Sequence, residues 1–263
     1  YSVFTFLGLG GIFKSFGFDR SLVKFIPEFV HRKNYNFIKS SVIYVVLIQL
    51  VTNIFIMTLV YFLSNFLAVY FFKDAKAAIV LKLMVIAFFI DSFVLVLKFA
   101  FQGFKKMAIF SGMDFIRMLL IVIITFFGLR LNYGLMSPIL AYIIVPIILL
   151  VIFGWVFIKR VFPEFVESKF VISRHLFKKI SHYSIFILAT TVGWVIFGYT
   201  DIMMLTYFLD LTNVALYSVA LPTSRILFYF PIAIAGVLLP LTSELWHKKK
   251  IGLLRVGLES LFK

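Results

Sequence analysis

A chain of 263 residues with 63% hydrophobic and only 14% charged residues lies outside the range of soluble domains, which carry roughly 45–50% apolar and about 25% charged residues. Its mean hydropathy of +1.08 exceeds what one anchor helix could produce and requires most of the chain to sit in lipid. The net charge of +15 would suggest nucleic acid in a soluble protein, but in a membrane protein Lys and Arg mark cytoplasmic loops, so no nucleic-acid partner is expected.

A spanning helix needs about 20 largely apolar residues. Apolar runs bounded by charge or by Gly, Asn and Pro give seven candidate spans. In chain order they are Tyr1–Phe18, Ser40–Leu63, Ala77–Phe101, Met107–Leu129, Tyr133–Ile158, Ile180–Phe208 and Val214–Leu241. The first is short and opens inside an apolar run. The last is followed by a new apolar pattern that stops at Lys263. A piece of a longer product is therefore expected. The second span continues into Ser64–Phe72, which reads as an interfacial turn or short helix.

Loop charge alternates along this series. The connection after the first span holds Arg20, Lys24, Arg32, Lys33 and Lys39, and the next holds only Lys73 and Lys76. Lys105 and Lys106 follow, then the lone Arg130, then a basic loop from Lys159 to Lys179. The loop at Asp210–Asn213 has neither Lys nor Arg. Basic loops mark the cytoplasmic side. All four histidines (His31, His175, His182, His247) lie in or beside these loops, and the chain has no cysteine. Nothing in this pattern builds a metal centre, a cofactor site or an embedded His-dependent enzyme.

Charges inside spans are costly and usually face a cavity or a partner. Asp91, Lys98 and Gln102 follow at steps of seven and four and share one helix face; a cavity lining and an Asp–Lys pair between helices both fit. Asp114 and Arg117 are three apart, the spacing of a local structural ion pair. Tyr183, Thr190, Trp194 and Asp201 form one polar-aromatic stripe, either a site or an interhelical seam. In the seventh span Ser218, Arg225 and Tyr229 share a face flanked by Pro222, Pro231 and Pro240. Arg225 lies near mid-span, where its guanidinium suits a phosphate or an ion pair with Asp201 or Asp91.

An internal repeat is also legible. Tyr1-Ser2-Val3 recurs as Tyr217-Ser218-Val219, and the same offset pairs Leu22 with Leu238, Glu28 with Glu244, and His31 with His247. Both copies leave on the basic side, so the repeats are parallel, as in two-halved transporters. The division expected is an N-terminal lobe over 1–165, its first helix missing, and a cytoplasmic linker with the start of a C-terminal lobe over 166–263.

The run Phe18-Asp19-Arg20-Ser21-Leu22-Val23-Lys24-Phe25-Ile26-Pro27-Glu28-Phe29 resembles the segment after the second helix of polysaccharide flippases in the multidrug/oligosaccharidyl-lipid/polysaccharide exporter superfamily. Thr200–Leu209 is similar to that family's seventh helix, and Val214–Ala220 to its entry to helix eight, with Ala215 where the family usually has Gly and Lys24 where it has Arg. The resemblance implies an all-α, polytopic bundle of about seven spans, part of a two-lobed exporter at the cell membrane. It implies alternating access to a central cavity that carries a lipid-linked oligosaccharide from the cytoplasmic to the outer leaflet. Arg225, Lys98, Lys24, Arg20, Trp194 and Tyr229 are then the candidate substrate-binding residues, and Asp201 and Asp91 the candidate sites of coupling to H+ or Na+. Competing readings are a cation-extruding multidrug antiporter of the same fold, a membrane-embedded envelope-assembly enzyme, and a scaffold.

Overall fold

The computed structural model describes residues 3, 6, 7, 14–134, 136–209, 212–221, 223, 224, 226 and 227, with the side chains of 194 and 195 left aside. Among the described residues to 209, six helices of 14 residues or more stand out: α1 (Phe18–His31), α2 (Tyr35–Tyr70), α3 (Ala77–Gly103), α4 (Met107–Arg130), α5 (Met136–Val156) and α6 (Arg174–Phe208). A π-helical turn, Phe157–Val161, extends α5, and a 3-10 turn, Pro163–Phe165, follows it. Chain contacts group residues 1–211 into one compact unit and 212–263 into a second. Within the second, Thr212–Leu221 is a short apolar helix.

Among the described residues, four helices are long and apolar enough to cross a membrane: α2, α3, α4, and α5 with its extension to Val161. α6 makes a fifth if its two segments, Arg174–Gly193 and Ile196–Phe208, which meet at 44°, count as one span. These stand where the sequence places spans two to six. The first and seventh candidate spans lie largely outside the described residues, and so does most of the second repeat copy.

Two expectations change. The stretch Ser64–Phe72 is not a turn: α2 continues to Tyr70. Ser64 is buried and donates to the Tyr61 carbonyl, and no Gly or Pro interrupts the run, so nothing breaks the helix there. At 36 residues α2 is about 54 Å long, well beyond the roughly 30 Å hydrocarbon core. Second, Arg20 and Lys24 do not lie in a loop. They sit on the outer face of α1, whose opposite face carries the wholly buried Leu22, Phe25 and Ile26. The loop proper is only Arg32 to Asn34.

Lipid gives helices no hydrophobic drive to associate, so close packing must hold them. At Gly103, an added Cβ would come within 2.8 Å of the Leu22 carbonyl oxygen, so only glycine lets α3 end against the α1 backbone. Helix ends are closed locally. Asn34 caps α2 by accepting from Phe37 N–H, and Ser173 caps α6 by accepting from Leu176 N–H. Lys33, Lys105 and Asn132 take left-handed conformations after α1, α3 and α4, and the residues after them bond back five positions.

The ring of Phe162 packs on Tyr35 and Phe104, and Lys39 Nζ donates to the Ser168 carbonyl. The basic connections after α1, α3 and α5 therefore gather at one end of the bundle, as the charge alternation requires. At the other end Phe71 packs on Tyr207, and Lys73 donates to the Tyr207 carbonyl. α4 is the lipid-facing helix, with Phe115, Met118 and Val122 about two-thirds exposed or more. We expect cysteines placed at Lys105 and Lys169 to react with an impermeant thiol reagent only from the cytoplasm, and one at Asp210 only from outside. External labelling at Lys169→Cys would reverse the orientation.

Candidate functional site

The site begins at an interruption. Lys14 and Ser15 are helical, Phe16 and Gly17 form a turn with φ of 47° and 77°, and α1 starts at Phe18. The freed backbone finds side-chain partners, which buried polar groups require. Asn53 Nδ2 donates to the Lys14 carbonyl at 2.8 Å, Thr52 donates to the same oxygen at 3.4 Å, and Gly17 N–H donates to Ser15 Oγ at 3.3 Å. Gly17 is dictated by both conformation and space, since a Cβ there would lie 2.7 Å from the Ser184 carbonyl oxygen of α6.

Beside the turn stands a ladder of charge. Lys14 Nζ contacts Asp91 Oδ2 at 2.9 Å and lies 4.4 Å from the centre of the Phe88 ring. Arg117 Nη1 reaches Asp91 Oδ1 at 2.9 Å from the other side. Lys98 Nζ grips both oxygens of Asp114 at 2.7 and 2.6 Å. Asp19, also buried, accepts from Ser15 Oγ and from Arg20 N–H. Lys14, Lys98 and Arg117 thus stand with Asp19, Asp91 and Asp114, a charge-balanced set. Asp91 is twelve residues from the end of α3 at Gly103, about 18 Å at the helical rise, so its level is near mid-membrane.

α2 presents two further polar groups on adjacent turns, Gln49 and Asn53, both fully buried. Among the described residues, neither polar atom of the Gln49 carboxamide, nor Asn53 Oδ1, meets a hydrogen-bond partner.

Nearer the basic end, α1 meets α6. Lys179 Nζ contacts both Glu28 oxygens at 2.7 and 2.9 Å, and Arg32 reaches Glu28 at 3.1 Å. The hydrogen bonds from Lys179 hold the Glu28 carboxyl below the ordinary carboxylate range. Its contribution to stability is therefore present at neutral pH and lost only as pH falls through that lowered value. Lys24 Nζ lies 4.0 Å from the centre of the Tyr183 ring, which packs edge-on against Phe25. Arg20 stacks over Phe99 at 5.9 Å. Arg20 and Lys24 are both exposed, so aromatic contacts orient two cations without neutralising them.

The candidates read from the sequence are therefore brought together in part. Asp91, Lys98, Asp114 and Arg117 converge, but in a different pairing from the expected one. Asp114 takes Lys98 and Arg117 takes Asp91, instead of Asp114 and Arg117 pairing along α4. α3 and α4 run side by side, which puts a partner on the facing helix within 2.6 Å of Lys98 and 2.9 Å of Arg117. Asp201 Oδ1 accepts the N–H of Ile202, and Thr190 bonds its own helix at Ile187. Arg225, Tyr229 and the Trp194 side chain lie outside the described residues. Lys14, Gln49 and Asn53 were missed by the sequence reading. Lys14 was hidden by its place near the end of an apolar run. Gln49 and Asn53, four apart inside a span, carried a legible polar stripe.

A family model described as "Polysaccharide biosynthesis protein" matches residues 1–246. A protein of Methanocaldococcus jannaschii named "Uncharacterized membrane protein MJ1068" is 28% identical over 274 aligned positions, covering 100% of this chain and 54% of that protein. The chain thus spans about half the length of the curated relative it matches. No solved structure matches. With apolar helices of membrane length and a family match over nearly all of its residues, the chain belongs to the polysaccharide biosynthesis protein family as a multi-pass membrane protein.

Proposed function

We propose that this chain is the larger part of the N-terminal lobe, and the beginning of the C-terminal lobe, of a flippase that carries lipid-linked oligosaccharide to the outer leaflet by alternating access. The observation that carries the reading is the interrupted helix at Phe16–Gly17 beside a charge-balanced cluster at mid-membrane depth. Irregular backbone and ionisable groups persist at that depth where they line a cavity or hold one another. On the cytoplasmic side of the break, Arg20 and Lys24 offer exposed positive charge beside aromatic rings, a surface suited to a diphosphate linked to sugar. Lys98, Tyr229 and Trp194 complete the proposed substrate path. Asp91 and Asp201 are the proposed carboxylates for coupling to H+ or Na+. The lobe boundary lies in the linker beginning at residue 166.

The runner-up, extrusion of cationic drugs, calls for a net-negative cavity. The exposed cations on α1 weigh against it. Arg225 provides the test, made on the full-length protein in vesicles. An unpaired cation at mid-span costs roughly 2.5–3.5 kcal/mol on insertion scales, a burden that phosphate recognition explains and folding alone does not. Arg225→Ala is expected to fold and insert near normally while abolishing translocation. Arg225→Lys should keep part of the activity, retaining charge without the planar fork. If Arg225 serves structure instead, Ala destabilises the protein and removal of Asp201 along with it rescues it, Asp91 being already held by Lys14 and Arg117. A stable Arg225→Ala protein that flips at the wild-type rate contradicts the proposal.

A further inference from the structure

The connection between α5 and α6 is held in register against α2. Residues 169–173 lie outside any helix, with Ser173 in extended backbone (φ -127°, ψ 110°), and their alternate N–H groups find side chains spaced every four residues along one face of α2. Lys169 N–H donates to Asn36 Oδ1 at 2.8 Å, Val171 N–H to Ser40 Oγ at 2.8 Å, and Ser173 N–H to the Tyr44 hydroxyl at 2.8 Å. Four residues of helix advance about 6.0 Å and two residues of extended chain about 6.6 Å, so the two repeats stay matched over three contacts. The acceptors are themselves oriented: Ser40 Oγ donates to the Asn36 carbonyl, and the Tyr44 hydroxyl to that of Val171. Lys39 closes the near end on the Ser168 carbonyl. At the far end Ser173 caps α6, whose first turns are tied to α1 through Lys179 and Glu28.

The material of this strap differs from that of a packed core. Its bonds are polar and lie at the edge of the protein. Ile172, the residue between two anchored positions, points away from α2 and is 84% exposed. Water can replace each bond in turn, and no apolar area on Ile172 is lost when the strap lifts. The Glu28–Lys179 pair beyond it is likewise partly exposed on both sides. The foot of α6 also buries Leu176 and Ile180 in the core with Leu22, Phe25 and Phe29, and Phe170 and Phe177 pack on Tyr44, so the strap adds a polar, water-replaceable hold to an apolar one.

We propose that residues 168–173 are a releasable latch that holds the foot of α6 against α1 and α2, closing the cytoplasmic side, and that it lifts when the protein opens to the cytoplasm. The inference rests on the alternating-access reading above and adds the element that governs its inner opening. The hydrogen bonds from Lys179 hold the Glu28 carboxyl below the ordinary carboxylate range, so this tie beside the latch persists at neutral pH. Release of the latch falls to whatever separates the α6 foot from α1.

The chain has no native cysteine, so the latch can be pinned. Lys39→Cys with Ser168→Cys, joined by a short bifunctional thiol reagent, is compared with the same variant left unjoined, in vesicles holding a fluorescent lipid-diphosphate oligosaccharide. Joining is expected to slow translocation at least tenfold, with recovery when a cleavable linker is cut. Unchanged translocation in the joined protein overturns the latch. Two measurements are independent of translocation. Residue-resolved hydrogen exchange should protect the amides of 169, 171 and 173 at least tenfold more than those of 170 and 172. The triple variant Asn36→Ala, Ser40→Ala, Tyr44→Phe should erase that difference and speed cytoplasmic labelling of a cysteine at Tyr183. Uniform exchange across 169–173, or labelling at Tyr183→Cys that does not respond to the triple variant, also overturns it. If the unjoined protein moves no lipid-linked glycan, the flippase reading fails, and exchange and labelling still decide the latch.

Discussion

Asp91→Ala is expected to destabilise the helix bundle by about 3–5 kcal/mol, the usual result of removing one partner from a buried ion pair. Asp91 is held between Lys14 and Arg117, whose side chains are only 7% and 25% exposed. Removing the carboxylate takes the contacting counter-charge from both cations at mid-membrane, leaving the more distant Asp19 to act on Lys14. The cost lies in the desolvated lysine and arginine left behind, not in the lost contact alone. Replacing the set together, as Lys14→Met, Asp91→Leu and Arg117→Met, should recover most of the loss, because apolar groups of similar volume need no counter-charge there. Thermal unfolding in detergent reads both effects. A single variant within about 1 kcal/mol of wild type would mean that Lys14 and Arg117 are satisfied elsewhere, and the charge ladder would lose its central rung.

Gly17→Val should be the most damaging substitution on the α1–α6 contact. The residue has a φ of 77°, a left-handed conformation that costs an L side chain roughly 1–2 kcal/mol before any contact is counted. Its Cβ would then meet the Ser184 carbonyl at 2.7 Å and Ile187 at 3.0 Å. Backbone oxygen cannot rotate aside as a side chain can, so α6 must shift. The expected total exceeds about 3 kcal/mol, in the range of strain at a special backbone position. Gly112, with nothing within 4 Å of an added Cβ, is the contrast. Gly112→Ala should be neutral or gain about 0.5–1 kcal/mol from reduced backbone freedom in the unfolded chain. Expression and unfolding temperature of the two variants provide the comparison. Equal behaviour would show that the turn at Phe16–Gly17 is not held against α6.

The membrane helices were legible because lipid imposes a length and an apolar composition on every span. The alternating charge of the loops likewise foretold the end at which Tyr35, Phe104 and Phe162 meet. What could not be read is how charges choose partners. The sequence offers Asp114 and Arg117 as neighbours on one helix, but geometry across α3 and α4 decides, and that depends on how far each helix is rotated about its axis. Hydropathy also misplaced α1. Its charges, Asp19, Arg20 and Lys24, end an apolar run and so read as a loop, whereas Leu22, Phe25, Ile26 and Phe29 form the buried face of a helix. The spacing of those four was visible, but a window tuned to 20-residue spans passes over a 14-residue helix that begins inside the membrane. The strap on α2 is less legible still. Asn36, Ser40 and Tyr44 fall four apart, yet nothing in the sequence shows that an extended segment more than a hundred residues later supplies their donors.

Translocation itself tests the account most directly. The full-length protein is placed in vesicles with a fluorescent polyprenyl-diphosphate oligosaccharide, and the label on the outer leaflet is destroyed with an impermeant reductant. Label from the inner leaflet should become accessible at least tenfold faster than in vesicles carrying the Arg225→Ala protein. No acceleration over protein-free vesicles, together with expulsion of a cationic dye by the same preparation, would contradict it and favour the cation antiporter.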